Sequence, residues 1–87
     1  MDMNMKLTNQ EFQQKQFKSL VRQIRIDASL RQIDIARRLG LPQSFVSKYE
    51  SGNRRLDILE LRLVCQAVGI SLDEFVKKLE EKLNETE

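Results

Sequence analysis

Four times in this 87-residue chain a side chain with a short oxygen arm stands three positions before a Glu or Gln: Thr8-x-x-Glu11, Ser29-x-x-Gln32, Asp57-x-x-Glu60 and Ser71-x-x-Glu74. At the start of a helix such a pair completes itself. The first side chain accepts an orphan backbone N–H of the first turn, and the second reaches back to the N–H of the cap residue. Each box opens an apolar run at helical rather than strand spacing. Phe17, Leu20, Val21, Ile24 and Ala28 mark one face of a first helix; Ile35, Ala36 and Leu39 mark a second; Leu61, Val64, Cys65 and Val68 mark a fourth. Between these last two, Val46 and Tyr49 form a short third stripe. Gly40-Leu41-Pro42, Gly52 and Gly69 fall between the runs and divide the chain into helix-length pieces. The pattern predicts five helices, at about 9–27, 30–39, 43–51, 57–68 and 72–84, and an all-α fold.

One small domain is all that this length allows, and it leaves no room for a separate sensing or catalytic unit. Hydrophobic residues make up 40% of the chain and charged residues 32%, which is an ordinary globular balance. Histidine is absent and Cys65 is the only cysteine. A histidine-based acid/base pair, a Cys/His metal site and an internal disulfide are thereby excluded, and no cofactor is expected. The opening Met1-Asp2-Met3-Asn4-Met5 lacks the charged-then-apolar order of a secretory signal, and no apolar run is long enough for a membrane span. A cytoplasmic binding domain, not an enzyme, is the expectation.

The formal net charge of +2 hides an uneven distribution. Residues 18–55 carry nine basic against three acidic side chains, a balance of +6; residues 56–87 carry four basic against eight acidic, a balance of −4. A basic middle and an acidic end are what a chain with one polyanion-binding face requires, although a solvated charge pattern gives the same arithmetic.

The helices expected at 30–39 and 43–51 are short and joined by a tight turn. Three residues meet the steric demands of two helices crossing closely there. Ala36 is small where the second helix crosses, Gly40 tolerates positive φ just past the first helix, and Val46 pins the second helix from its inner side.

With these residues the chain resembles the phage lambda repressor/Cro-like (Xre-type) helix-turn-helix DNA-binding domains. The resemblance covers about residues 20–79. It runs through Leu30-Arg31-Gln32, Ile35-Ala36-Arg37-Arg38-Leu39-Gly40-Leu41, Gln43-Ser44-Phe45-Val46-Ser47-Lys48-Tyr49-Glu50-Ser51-Gly52 and Ala67-Val68-Gly69-Ile70-Ser71-Leu72. It implies that helix 43–51 reads the major groove of double-stranded DNA, with Gln43, Ser44, Ser47 and Lys48 as base contacts. Their chemistry suits base edges: Gln pairs with adenine N6/N7, Lys donates to guanine O6/N7, and Ser serves several bases. It further implies phosphate contacts from Gln32, Ser51, Asn53, Arg54 and Arg55. Gln32 can also complete a box with Ser29. Arg25 and Glu50 match a pair that, in the family, joins the first helix to the end of the reading helix.

Departures from the family pattern bear on the caps. Arg31 replaces the usual Thr or Ser ahead of the second helix, so Ser29 is expected to cap it slightly earlier. Pro42 replaces the cap of the third, where its missing N–H is no loss. Phe45 is bulky where small or polar residues are common, and it is suited to a thymine methyl, a sugar or the core. Three parts are expected: an N-terminal extension 1–16 continuing the first helix, the helix-turn-helix domain 17–79, and an acidic tail 80–87.

A single reading helix specifies little sequence, so a homodimer on a near-palindromic operator is expected. Leu59 and Leu63 lie off the inner stripe of their helix, and Leu72, Val76, Leu79 and Leu83 form a stripe along the last one. Leu59, Leu63, Leu79 and Leu83 are the expected dimer contacts. The resulting function is a transcriptional regulator, most simply a dimeric repressor, bacterial or phage-encoded. The alternative is an antitoxin-type module that binds a protein partner and autoregulates its operon.

Overall fold

The computed structural model describes residues 9–85, all of them in helices or the links between helices. The helices are α1 (Gln10–Asp27), α2 (Gln32–Leu39), α3 (Gln43–Ser51), α4 (Ile58–Val68) and α5 (Leu72–Glu85). Helices α2 and α3 pack closely on each other; α1 lies against α3 and α5, and α4 against α2 and α5. The predicted all-α fold and its five helices are as observed, with boundaries displaced by two residues at most.

Side chains from every helix meet in one core. Leu20, Val21 and Ile24 come from α1, Ile35 and Ala36 from α2, and Val46 and Tyr49 from α3. Leu61, Val64, Cys65, Ala67 and Val68 come from α4, and Phe75 from α5. Cys65 is fully enclosed, and burial pushes its thiol up to about 11, so it fills space as a protonated group.

Two local expectations need correction. Ser29 does not cap α2. It stands at φ 59°, just past the end of α1, where its N–H bonds to the Ile26 carbonyl and that of Leu30 to the Arg25 carbonyl. That is the Schellman arrangement, with serine in the place usually taken by glycine. The residue ahead of α2 is extended Arg31, whose backbone N–H donates to Asp34 Oδ2 at 2.8 Å. The Arg31 guanidinium holds the same carboxylate and keeps Asp34 low, at about 2. The box at Asp57 forms in both directions. At Ser71 the hydroxyl accepts from the Glu74 N–H at 3.2 Å, and the box at Thr8 lies outside the described residues.

The second correction concerns α5. Its inner stripe is Leu72, Phe75 and Leu79 rather than one running through Val76, which is 42% exposed. Phe75 is fully buried, and its ring meets Phe17 of α1 edge-on at 5.7 Å between centroids. An aromatic pair across two helices fixes the rotation of α5, and Val76 is turned out as a result. Residues 10–16 are the first two turns of α1, and residues 80–85 continue α5 as helix.

Candidate nucleic-acid interface

The link between α2 and α3 is built as the sequence demands. Gly40 sits at φ 69°, with its N–H on the Arg37 carbonyl and the Leu41 N–H on the Ala36 carbonyl. A left-handed residue there turns the chain within three positions. Pro42, with φ −65° and extended ψ, starts α3 without a side-chain cap. Ala36 and Val46 are buried to 1% and 0% exposure, so α3 is clamped on α2 by its inner face.

The outer face of α3 is consequently fixed. Gln43, Ser44, Ser47 and Lys48 are all exposed, whereas Val46, Tyr49 and Glu50 are buried. At 100° per residue, the four polar side chains span about 140° of the helix surface. Tyr49 lies in the core, where burial holds its phenol well above the usual range and keeps it neutral.

The far end of α3 is held by ionic contacts. Arg25 Nε donates to Glu50 Oε2 at 2.6 Å and Nη2 to Oε1 at 2.9 Å, a two-pronged pair with side-chain exposures of only 12% and 4%. The third prong, Nη1, donates to the Leu30 carbonyl at 2.9 Å and so ties the α1–α2 link to the same point. The hydrogen bonds to Glu50 raise the already high Arg25 pKa further. Gln32, half-buried at the start of α2, donates to Glu50 Oε1 at 3.1 Å. Its own Oε1 faces Gln43 Nε2 at 3.5 Å, a weak contact linking the first residues of α2 and α3.

At the last residue of α3 and just past it, Ser51, Asn53 and Arg55 are exposed, and the Ser51 hydroxyl donates back to the Lys48 carbonyl. Arg54 is engaged differently: its guanidinium holds Glu60 and lies over the Phe45 ring. Phe45 is half-buried and meets the Tyr49 ring in a T-shaped contact, so most of its surface is taken up within the protein. Arg38 also turns inward, donating to the Ala67 carbonyl of α4 at 2.6 Å.

These contacts sharpen the electrostatics. Of the basic residues in 18–55, Arg25, Arg31 and Arg54 are neutralised by Glu50, Asp34 and Glu60. Among the described residues Lys18, Arg22, Arg37, Arg38, Lys48 and Arg55 have no carboxylate in an ion pair, and Lys48 and Arg55 put two of these six cations on and beside α3. The roles of Asp34, Glu60 and Phe75 were not anticipated from the sequence as positioning contacts. The spacing of Asp34 after Arg31 was a usable signal, and the box at Asp57 already named Glu60. Nothing in the local pattern marked Phe75.

The four expected dimer leucines divide between two places. Leu59 and Leu63 are 70% and 53% exposed on α4, beside Ile58 at 58%. Leu79 packs on the core, and with half-buried Leu83 it lines a groove of about 750 Å³ against the first turns of α1. Among the described residues no group of acidic or sulfur side chains is placed to hold a metal, and no helix is long and apolar enough to cross a membrane.

A small residue at the crossing, a left-handed turn and a clamped helix with an exposed polar face form one unit, and residues 21–75 match the helix-turn-helix family model. The chain belongs to the Cro/C1-type (XRE) helix-turn-helix family. A solved XRE-family-like protein from Pseudomonas syringae pv. tomato str. DC3000 is 36% identical, with a TM-score of 0.82 over 90% of this chain and 95% of that one. The restriction-modification controller protein C.Esp1396I shares the fold at 24% identity, with a TM-score of 0.76 over 83% of this chain and 95% of that one. No curated protein sequence matches. The XRE helix-turn-helix is a fold of DNA-binding transcription regulators, and in this chain its turn, clamp and outward α3 face are all intact.

Proposed function

We propose that this XRE protein is a sequence-specific regulator of transcription that places α3 in the major groove of an operator. The observation that carries the reading is the exposed row Gln43, Ser44, Ser47 and Lys48 on a helix whose other side is locked by Val46, Tyr49 and the Arg25–Glu50 pair. A reading helix must present hydrogen-bonding groups while its own position stays fixed, because base contacts tolerate little displacement. Gln32, Ser51, Asn53 and Arg55 border the row and are assigned to phosphate. Arg25 and Glu50 are assigned to positioning.

The test is binding to a site selected from random DNA. Replacing Gln43 and Lys48 together with Ala removes two contacts worth about 1–3 kcal/mol each, so affinity for the selected site falls at least ~30-fold. Affinity for unrelated DNA changes far less. An unaltered site preference refutes the base-contact assignment.

Operator recognition is proposed to involve a homodimer joined through the exposed α4 edge at Leu59 and Leu63, with Ile58 beside them. Leu79 is left to the core by its packing on α1, and Leu83 to the groove beside it. Sedimentation of Leu59→Lys/Leu63→Lys is expected to give a monomer that retains its helicity and binds a single half-site. A double variant that remains dimeric rules this edge out. If the unmodified chain is itself monomeric at micromolar concentration, the α4 edge belongs to a different protein partner, as in the antitoxin-type reading.

A further inference from the structure

We infer that Arg54 is a positioning residue that locks the reading helix to the start of α4, and that it does not serve as a phosphate ligand. The inference rests on the DNA-binding reading above and changes the role of one residue in it.

The guanidinium of Arg54 is used on both its edge and its face. Nη2 donates to Glu60 Oε2 at 2.6 Å and Nη1 to Glu60 Oε1 at 3.1 Å, while Nη1 also donates to the Arg55 carbonyl at 3.0 Å. The guanidinium carbon stands 4.5 Å from the centroid of the Phe45 ring, in the range of a cation–π contact. Phe45 belongs to the first turn of α3, between the base-contact candidates Ser44 and Ser47, and its other neighbour is the buried ring of Tyr49. Glu60 in turn closes the α4 cap, accepting from the Asp57 N–H at 3.0 Å. A continuous set of contacts therefore runs from Phe45 through Arg54 and Glu60 to Asp57, next to exposed Ile58 and Leu59.

Charge argues for the same role. A guanidinium paired in two-pronged fashion with a carboxylate is locally neutral, and the Arg54 hydrogen bond holds Glu60 ionised with its pKa at about 2. Moving Arg54 onto a phosphate would strip Glu60 of its cation and leave a carboxylate facing DNA. Arg55, the next residue, is exposed and lacks a carboxylate partner, so the phosphate contact falls to it. Because the α4 edge is also the proposed dimer surface, the Arg54 lock fixes the reading helix relative to that surface. It thereby sets the spacing of half-sites that a dimer accepts.

Salt dependence separates the two roles. Loss of a phosphate ligand lowers the slope of log affinity against log salt by about 0.9, whereas loss of a positioning residue leaves it unchanged. Arg54→Ala is expected to weaken binding to the selected site about tenfold at an unchanged slope, and to relax its preference when half-site spacing is altered by one base pair. Glu60→Gln keeps an acceptor for the α4 cap and should reproduce both effects. The opposite pattern overturns the inference: a slope reduced by about 0.9 for Arg54→Ala, with tighter binding for Glu60→Gln as the guanidinium is released to DNA. If the unmodified protein shows no site preference at all, the DNA-binding reading itself fails. Thermal melting of the free single and double variants then decides for Arg54: non-additive losses support the lock, and additive losses refute it.

Discussion

Arg25→Ala is expected to lower the melting temperature by at least ~12 °C, read by circular dichroism at 222 nm. Glu50 has a side chain only 4% exposed, and Arg25 supplies the charge that balances it. Removing one partner of such a pair costs about 3–5 kcal/mol because the other is stranded. In a domain of this size each kcal/mol is worth about 4–8 °C. Gln32 still donates to Glu50 in the variant, but a neutral amide does not replace a cation. The informative companion is a double replacement of both residues by apolar ones. It should recover much of the loss, since the pair contributes position more than net stability. The recovered protein should nevertheless bind its operator less well, because the junction of α1, the α1–α2 link and α3 is no longer fixed by hydrogen bonds. A drop of less than ~4 °C for Arg25→Ala means that Glu50 finds solvent or another partner.

Phe75→Ala is expected to cost about 3–5 kcal/mol in denaturant unfolding, through lost transfer energy and the cavity left behind. The ring is completely buried and is the principal anchor of α5, with Phe17 against it. Phe75→Leu, nearer in volume, should keep the fold at a cost below that of the alanine variant. The location of the damage matters as much as its size. Ala36, Gly40 and Val46, which hold α3 against α2, are untouched by the change, so the reading face is expected to keep its shape in whatever fraction remains folded. An alanine variant with an unchanged denaturation midpoint places α5 outside the cooperative core.

The helices were legible in the sequence because their signals are local. The box at Asp57, Gly40 ahead of Pro42, and the pairing of Ala36 with Val46 each depend on neighbours within ten positions, and each has its expected structure. Ser29 was misread because two candidate helix starts compete there. Ser29-x-x-Gln32 has the residues of a full box, whereas at Arg31 only the returning half forms, Asp34 accepting from the Arg31 N–H, and Ser29 is instead the left-handed terminus of α1. Phe75 was missed for a different reason. Stripes through Val76 and through Phe75 both have helical spacing, and the choice depends on Phe17, fifty-eight positions earlier in the chain. The dual use of Glu60, as cap and as partner of Arg54, leaves no trace in periodicity either. In the candidate site the residue types were readable, but their engagement was not: Arg54 and Arg55 are adjacent and chemically identical, yet one is tied down and the other is not.

Each of the first four helices ends on a single left-handed residue, Ser29, Gly40, Gly52 or Gly69, and the next begins within a few positions. In kinetic terms each helix is joined to the next by a short link, while α1 and α5, from opposite ends of the described residues, close the core on each other. Closing such short links costs little entropy before the contacts form, and helical domains of this kind acquire their structure in microseconds to milliseconds. On that timescale a newly made chain is folded well before diffusion brings it to any partner.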